Sequence, residues 1–402
     1  MFKLSSKDQS TKRLVDFAYL KDNECYFDAA CQSLRPQPVI DALTDYYHTY
    51  NACGGRVKYA WGKKVDEMIS DTRQVVLKFL KLLPRYYSVS FTLNTTIGLN
   101  LLLEQLPIGK FKRVITSHIE HNSVFLSTMT LAKRLNLPRE VLGRANDGSL
   151  IYKPSQLNKA IVVVNTTSNV DGQLLKNVNE LTRDVHARGG IVIIDAAQTM
   201  AHNYSILQKT SVDAICFSGH KMYSASLGII VARHELINSL NISIIGGGMV
   251  TDVTEHDFTF LPDDLSSRLE PGLQAWGEII ALRRAIKWLT TVRPGKQKPS
   301  KYISVLSEQL FDGLKSIPEL KILNSTASPV ISVYSKKHYA HRLAIFLSEA
   351  KIMVRSGYFC AHHYLKEKSN LPPLLRFSIG LHSTEADIQF ALKTLDRFIK
   401  EL

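Results

Sequence analysis

The chain has 402 residues, of which 45% are hydrophobic and 21% are charged, and its formal net charge at pH 7 is +14. This composition is typical of a globular protein with at least one large core, and the length suggests two or three domains. No apolar run approaches the roughly 20 residues needed to cross a bilayer, and residues 1–8 lack the apolar core of a signal peptide. We therefore predict a cytoplasmic protein without a membrane segment.

Basic residues cluster at 293–301 and at 336–337, but no basic stripe is interleaved with aromatic residues. A solvated basic surface is favoured over a nucleic-acid site, and docking of an acidic protein is the other interpretation. The five cysteines show no CxxC spacing, and their odd number argues against a complete disulfide framework. They fit reduced thiols in a cytosolic enzyme, and no metal site is predicted.

Apolar, β-rich runs alternate with helical patterns through the middle of the chain, which predicts an α/β fold with a mostly parallel sheet covered by helices. The predicted strands are 89–93, 113–117, 160–165, 190–195, 212–218 and 228–232. A helix at about 274–292 closes this large domain, and the polar stretch 293–299 is predicted to be a linker.

A smaller α+β domain follows, with strands predicted at 321–323, 330–334 and 374–379. One face of a final helix is traced by seven apolar residues: Ile388, Ala391, Leu392, Leu395, Phe398, Ile399 and Leu402. Thr384 and Asp387 suit the capping box of this helix. The predicted organisation is an N-terminal arm at 1–20 that packs with the small domain, a large domain at 21–292 and the small domain at 293–402.

Two strand ends of the large domain carry residues that indicate a chemistry. Lys221 follows an apolar strand on a turn of small and polar residues, and a neighbouring strand ends at Asp195. Carboxyl ends of strands build the site in open α/β sheets, so both side chains are expected at one edge. Pyridoxal phosphate requires such a pair, because an amine holds its aldehyde and an anion keeps its pyridine nitrogen protonated. The alternatives are a helix cap for Asp195 and a solvated surface lysine for Lys221.

Further loops at this edge carry polar residues. Thr95 and Thr96 lie on a turn before a helix, where backbone N–H groups and hydroxyls bind a phosphate, or where a threonine caps the helix. His121 follows the next strand and is predicted either to lie flat against the pyridine ring or to be structural. Asn169 is predicted either to hydrogen-bond the ring oxygen or a substrate carboxylate, or to be a turn residue. Three more polar residues follow strands here: Gln198, Ser218 and His220.

The small domain adds a cysteine and two arginines. Cys360 lies in a glycine-containing loop near Arg355 and two histidines, surroundings that hold a thiol as a nucleophilic thiolate. Its alternative is a small, buried apolar residue. Arg376 interrupts an apolar strand with a guanidinium suited to a carboxylate, and a structural salt bridge is its alternative.

These segments resemble the class V, fold type I pyridoxal-phosphate enzymes, most closely the group II cysteine desulfurase and selenocysteine lyase family. The likeness covers nearly the whole chain, from the Tyr-Phe-Asp-Ala-Ala segment at 26–30 to Arg376. Its most specific part is Ser-Gly-His-Lys at 218–221, with Asp-Ala-Ala-Gln upstream at 195–198. The resemblance implies a fold type I large domain with a mostly parallel sheet, plus a smaller α+β domain.

The resemblance also implies roles for the cofactor residues. Lys221 would hold the cofactor and move protons, His121 would stack on the ring, and Asp195 would pair with the pyridine nitrogen. Gln198 would contact the phenolic oxygen. Four residues would hold the phosphate: Thr95, Thr96, Ser218 and His220.

For the substrate, the resemblance implies that Asn169 and Arg376 orient an amino acid, with Arg355 near the same pocket. Cys360 would take the sulfur of L-cysteine, or the selenium of selenocysteine, as a persulfide, and L-alanine would be released. It further implies a homodimer whose sites lie near the subunit boundary and a protein that accepts the sulfur.

Four segments depart from the family pattern. Ser-Ala-Ser at 224–226 replaces Gly-Pro-Thr, and Leu273 replaces a threonine that commonly reaches the neighbouring subunit's phosphate. His362 and His363 stand where proline commonly follows the cysteine motif, and Ala29 stands where a polar residue is frequent. These changes leave two alternatives open. One is a class V aminotransferase or carbon-heteroatom lyase that acts on another amino compound. The other is a catalytically silent binding scaffold, against which the joint presence of Lys221, Asp195 and His121 argues.

Overall fold

The computed structural model describes residues 12–55, 57–262 and 264–401. In these ranges the helices are α1 Gln37–Thr49, α2 Ala60–Leu80, α3 Thr95–Glu104, α4 Asn122–Leu135, α5 Val178–His186, α6 His234–Ser239, α7 Trp276–Thr291, α8 Pro299–Lys315, α9 Ala340–Glu349 and α10 Glu385–Glu401. None of the described helices is both long enough and apolar enough to span a bilayer.

The strands of the described residues are β1 Cys25–Tyr26, β2 Tyr87–Thr92, β3 Arg113–Ser117, β4 Arg139–Leu142, β5 Ala160–Asn165, β6 Ile191–Asp195, β7 Ala214–Ser218, β8 Gly228–Arg233, β9 Val250–Val253, β10 Phe258–Phe260, β11 Leu320–Ile322, β12 Val330–Ser335, β13 Ile352–Met353, β14 Arg355–Gly357 and β15 Leu374–Ser378.

The chain divides into two compact units. The larger unit comprises 38–167 and 174–287, and the smaller unit comprises 168–173 and 288–401 together with the described part of the N-terminal segment, 12–37. The predicted boundaries at 20 and 292 stay a prediction. So does the packing of the N-terminal arm, of which residues 1–11 lie outside the described ranges.

The larger unit is built on a seven-stranded sheet in the order β2-β8-β7-β6-β5-β3-β4. Only β8 runs antiparallel to its neighbours β2 and β7, and every other pairing in this sheet is parallel. The mostly parallel sheet predicted from the sequence is therefore confirmed. The predicted strands 113–117 and 160–165 match β3 and β5 residue for residue, and the other four differ by one or two residues at one or both ends.

The central strands are covered on both faces. Every residue of β5, β6 and β7 is buried, as expected where helices pack on both sides of a parallel sheet. Strand β4 was not predicted, because its Arg-Glu-Val-Leu sequence is short, half-buried and partly charged. Since the central strands are fixed by apolar burial, the turns at their carboxyl ends are placed on a rigid base.

The smaller unit contains a four-stranded antiparallel sheet in the order β11-β12-β15-β14 and a short parallel pair, β1 with β13. The three predicted strands are confirmed as β11, β12 and β15, each shifted by one residue at one or both ends, and β14 was missed. The predicted linker holds a short turn, Pro294–Lys296, in which Gly295 and Lys296 have positive φ angles of 52° and 62°.

The capping box predicted for the final helix is present before α10. The Thr384 N–H donates to Asp387 Oδ2 at 2.8 Å, and the Asp387 N–H donates to Thr384 Oγ1 at 3.2 Å. Asp387 also pairs with Arg13, with 3.1 Å between Nη2 and Oδ1, and this bond ties residue 13 into the smaller unit. Leu402, the last residue predicted for the apolar face, lies outside the described range.

Candidate active site

Lys221 stands on a single helical turn, Gly219–Lys221, directly after β7. The turn folds tightly against the returning chain, since the Gly219 N–H donates to the Leu227 carbonyl at 2.8 Å. A Cβ at Gly219 would lie 2.6 Å from the Ala225 carbonyl oxygen, so only glycine fits there. The glycine of the Ser-Gly-His-Lys motif is thus a geometric requirement of the turn that places Lys221 at the carboxyl edge of the sheet.

Asp195 ends β6, the strand beside β7, and only 5% of the residue is exposed. Its Oδ1 accepts the Ala197 N–H at 2.9 Å. Burial raises the pKa of the Asp195 carboxyl, and the Ala197 N–H and the Lys221 ammonium offset this only in part. A carboxylate held in such surroundings is stabilised by an added cationic donor, which a protonated pyridine nitrogen would provide.

The start of α3 gathers hydroxyl and amide groups. The Thr95 N–H donates to Ser218 Oγ at 2.9 Å, and the two hydroxyl oxygens of Thr95 and Ser218 lie 2.5 Å apart. Asn94 is the residue that caps the helix, through its side-chain oxygen and the Ile97 N–H at 3.0 Å. Thr95 is therefore not the N-cap, and its hydroxyl lies at the positive end of the helix, where a phosphate is favoured.

His121 stands at the start of α4. Its Nδ1 accepts the Ser123 N–H at 3.0 Å, and so the histidine caps the helix. The Ser123 hydroxyl also lies 2.6 Å from Thr96 Oγ1, which joins this helix start to that of α3. The structural role proposed as an alternative for His121 is present, and stacking on a ring stays a prediction. Gln198 and His220 lie on the turns after β6 and β7, and their roles stay predictions as well.

A buried ion pair beside His121 was missed by the sequence analysis. Arg144 Nη2 lies 3.1 Å from Glu120 Oε1 and donates to the Asn165 carbonyl at 2.7 Å, while the Asn165 N–H donates to Glu120 Oε2 at 2.7 Å. Burial raises the pKa of the Glu120 carboxyl, and Arg144 opposes that rise. The network fixes the backbone next to His121. The one available signal was that Glu120 directly precedes His121 in the sequence.

In the smaller unit, Arg376 and Asn169 lie together. Arg376 Nη1 donates to the Asn169 carbonyl at 2.9 Å, and Nη2 lies 3.1 Å from Asp28 Oδ1. The structural salt bridge proposed as an alternative for Arg376 is therefore present. Asn169 Oδ1 and Arg376 Nε are buried, and neither has a hydrogen-bond partner among the described residues. Such groups favour a polar ligand, and an amino-acid substrate offers both a carboxylate and an ammonium.

Arg355 joins the same cluster from β14. Its Nη2 lies 3.1 Å from Asp28 Oδ2 and contacts the Cys31 sulfur. Asp28 thus bridges the two arginines predicted to bind the substrate, since its other oxygen accepts from Arg376. Neither Asp28 nor Cys31 was given a role from the sequence, because their partners lie more than 300 residues away, for instance 324 between Cys31 and Arg355.

Cys360 belongs to residues 358–362, which we call the cysteine loop. The thiol is free and Cys360 is exposed, so the interpretation as a small buried residue is wrong. Phe359 and Cys360 adopt φ angles of 48° and 55°, in the left-handed region that non-glycine residues rarely occupy. The loop is closed by the Ala361 N–H, which donates to the Tyr358 carbonyl at 2.8 Å. An exposed thiol on strained backbone is typical of a functional loop.

The structure therefore groups the predicted residues in two places. The cluster that we call the lysine edge lies in the larger unit and consists of Thr95, Thr96, His121, Asp195, Gln198, Ser218, His220 and Lys221. The smaller unit holds Asn169, Arg355, Cys360 and Arg376. The buried carboxylate of Asp195 and the hydroxyl pair at the start of α3 fit the pyridine and the phosphate of pyridoxal phosphate.

Of the segments that depart from the family pattern, Ser224 has a buried hydroxyl with no hydrogen-bond partner among the described residues. Leu273 is 76% exposed. Nearby, Glu270 forms a two-point ion pair with Arg73, with both N–O distances 2.7 Å, and accepts the Phe91 N–H of β2 at 2.7 Å. The segment that ends at Leu273 is therefore anchored to the strand that leads into α3.

Comparison with known families decides the membership of this chain. The family model described as aminotransferase class-V matches residues 25–390. The chain belongs to the aminotransferase class-V family. A probable cysteine desulfurase of Pyrococcus abyssi is 30% identical, over 94% of this chain and 94% of that protein. A probable cysteine desulfurase of Streptomyces coelicolor is 27% identical, over 92% of this chain and 91% of that protein.

Among solved structures, the apo cysteine desulfurase of Thermococcus onnurineus is similar to this chain with a TM-score of 0.88 and 25% identity, over 96% of each chain. The fold class predicted from the sequence, a fold type I α/β architecture, is confirmed by this likeness and by the central sheet. The prediction that the chain is an enzyme of this family is confirmed as well.

Proposed function

We propose that the protein is a pyridoxal-phosphate-dependent cysteine desulfurase. It removes sulfur from L-cysteine, or selenium from selenocysteine, and releases L-alanine while the sulfur stays on Cys360 as a persulfide. The names of the relatives from Pyrococcus abyssi and Streptomyces coelicolor support this reaction, and the two groups of residues in the structure offer the chemistry for it.

The lysine edge would hold the cofactor. Thr95 and Ser218 offer donors to the phosphate at the start of α3, with Thr96 and His220 beside them. Asp195 would accept from the pyridine nitrogen, and Lys221 would hold the aldehyde. The remaining contacts would come from His121 at the ring face, and from Gln198 and Asn169 at the ring oxygen. When bound, pyridoxal phosphate supplies a ring that accepts the electron pair released at the substrate α-carbon.

The residues of the chain then divide the chemical work. The amine of Lys221 moves the proton of the substrate α-carbon. Asn169, Arg355 and Arg376 hold the substrate carboxylate, for which the planar guanidinium of arginine is suited. Because these residues hold the substrate in a fixed orientation, its sulfur stays in position for attack by the thiol, which raises the rate of that step.

The thiolate of Cys360 attacks the sulfur of the substrate. An S–S bond forms as the C–S bond breaks, and the electron pair of the broken bond stays with the carbon fragment, which takes up a proton and leaves as alanine. L-cysteine and a protein thiol thus give L-alanine and a protein persulfide. The atoms and electrons balance, so this step needs no separate oxidant or reductant.

One observation favours the desulfurase reaction over the other class V reactions. The exposed thiol of Cys360 follows a residue, Phe359, whose carbonyl accepts the Asn169 Nδ2 hydrogen at 2.7 Å. The residue before the nucleophile therefore contacts a residue that is proposed to bind the substrate. An aminotransferase has no use for a thiol in this place, whereas a desulfurase requires one.

The test measures alanine and protein-bound persulfide after the purified, cofactor-loaded protein is incubated with L-cysteine. We expect Cys360→Ala to lose alanine formation by about 10²-fold or more, because the persulfide cannot form without the thiol. Cys53→Ala is the matched control, since Cys53 is also an exposed free cysteine, and it should keep both products.

Alanine formation that persists in Cys360→Ala would contradict the proposal and would favour a class V aminotransferase or carbon-heteroatom lyase. Protein that shows no cofactor absorbance after pyridoxal phosphate is added would favour the silent scaffold. We further propose a cytoplasmic homodimer that passes its sulfur to an acceptor protein. Sedimentation analysis of the purified protein tests the oligomeric state.

A further inference from the structure

Phe359 stands where the cysteine loop meets the proposed substrate residues. Its carbonyl oxygen accepts the hydrogen bond from Asn169 Nδ2 at 2.7 Å, and the centre of its ring lies 4.7 Å from Cζ of Arg376. One residue thus contacts both Asn169 and Arg376, one through its backbone and the other through its side chain. Both contacts lie directly before the exposed Cys360.

The backbone at this point needs outside support. Phe359 and Cys360 are two consecutive non-glycine residues in the left-handed region, a strained conformation that persists only where neighbouring contacts hold it. The loop itself offers one backbone hydrogen bond, from Ala361 to Tyr358. The rings of Tyr358 and His362 also contact each other across the loop, with centroids 5.7 Å apart. Phe359 adds its contacts with Asn169 and Arg376 and its packing on a small apolar cluster.

That cluster consists of Val170, Ala361, Leu365 and Leu374, with Phe359 packed against it. Arg376 is 3% exposed, and burial lowers the pKa of its guanidinium although Asp28 opposes the shift. The cation–π interaction between a guanidinium and an aromatic ring is stronger when the guanidinium is desolvated. The ring of Phe359 therefore contributes more than apolar volume at this position.

We propose that Phe359 is a positioning residue that fixes Cys360 with respect to Asn169 and Arg376. The inference rests on the proposed function, because it assigns to Phe359 the placement of the thiol that receives the sulfur. The ring of Phe359 sets the rate of attack on the substrate sulfur and leaves the binding of cysteine unchanged. The hydrogen bond to Asn169 and the ring contact with Arg376 together hold the backbone that carries Cys360.

The experiment compares Phe359→Leu, which keeps apolar volume but loses the aromatic face, with Phe359→Tyr, which keeps that face. In Phe359→Leu we expect single-turnover persulfide formation to fall about 10-fold, since misplaced reacting groups lower the rate of the chemical step. The KM for L-cysteine should stay unchanged, and Phe359→Tyr should restore the rate. Thermal unfolding confirms that each variant is folded.

A second measurement does not depend on activity. Amide hydrogen exchange of residues 357–362 in the cofactor-free protein should be faster in Phe359→Leu than in the parent or in Phe359→Tyr. Tyr334→Leu is the matched control, because Tyr334 packs against the same cluster but lies on β12, outside the cysteine loop. It should leave both the exchange and the rate of persulfide formation as in the parent.

Unchanged exchange and an unchanged rate in Phe359→Leu would overturn the inference, and so would an equal effect of Tyr334→Leu. These results are distinct from a failure of the proposed function. In that case Cys360→Ala would still form alanine, while the exchange of the cysteine loop would still report on the role of Phe359.

Discussion

The lysine edge and the cysteine loop hold their reactive groups by different means. Asp195 ends a strand whose residues are all buried, and the hydroxyl groups of Thr95 and Ser218 hydrogen-bond to each other at the start of α3. Cys360 is exposed on left-handed backbone outside any helix or strand. A charge that must stabilise a cofactor benefits from fixed, dry surroundings, whereas a thiol that takes up sulfur and passes it on must be accessible. Substitutions in the two regions should therefore differ in what they change.

The largest effect is expected at Lys221, which no other residue of the lysine edge can replace as an amine. Lys221→Ala should lower alanine formation by at least about 10⁴-fold, as the loss of a covalent catalytic group does. Steady-state turnover with L-cysteine measures this. Lys176→Ala, at an exposed lysine of the same unit, is the control and should retain parent activity.

The next effect concerns the stability of the lysine edge. Replacement of Arg144 by leucine leaves the buried Glu120 carboxylate without its partner, which should lower the free energy of unfolding by about 3–5 kcal/mol. Arg113→Leu breaks a more exposed ion pair with Glu140 on the same sheet, whose side chains are 27% and 28% exposed. It should cost about 1 kcal/mol or less. Urea unfolding measures both, and equal losses would contradict the role of the buried network.

Asp195→Asn is expected to act on activity and stability in opposite directions. Turnover should fall by about 10²–10³-fold, because the pyridine nitrogen loses its anionic partner. Burial raises the pKa of Asp195, so its contribution to stability is complete below the unfolded pKa and is lost as pH rises through the folded pKa.

Without cofactor, Asp195→Asn should consequently be more stable than the parent at neutral pH, and the difference should shrink below about pH 4. Urea unfolding of the cofactor-free proteins at the two pH values is the measurement. If the parent is more stable than Asp195→Asn at neutral pH, burial of the ionised Asp195 carboxylate does not destabilise the cofactor-free protein, and the argument is contradicted.

The smallest effect is expected at Leu273, where the resemblance placed a threonine that reaches the phosphate of the neighbouring subunit. Leu273→Thr adds one hydroxyl and should raise the affinity for pyridoxal phosphate by about 2- to 10-fold, the value of one net hydrogen bond. Cofactor titration followed by absorbance measures it. Leu273→Val is the control without a hydroxyl, and an equal gain there would rule out the hydrogen bond.

Strands buried on both faces were predicted well, because their apolar, β-branched runs carry the signal themselves. Strands β3 and β5 match residue for residue, whereas the partly charged edge strand β4 carried no such signal. The requirement for glycine at position 219 became clear only from the structure, because it depends on the close approach of the Ala225 carbonyl.

Contacts between distant residues were not predictable in the same way. Arg144 pairs with Glu120 across 24 residues and lies just after the missed strand. Asp28 bridges Arg355 and Arg376 only once the N-terminal segment and β15 have come together in the smaller unit. Phe359 carried no signal at all, because its role depends on a positive φ angle and on a carbonyl that faces Asn169.

The most direct test of the account is to locate the cofactor. Protein loaded with pyridoxal phosphate is reduced with borohydride, digested and analysed by mass spectrometry. The account predicts a pyridoxyl phosphate mass on Lys221 in the parent and its loss from Asp195→Asn at limiting cofactor. A label on another lysine, or no label on the loaded parent, would contradict the assignment of the lysine edge.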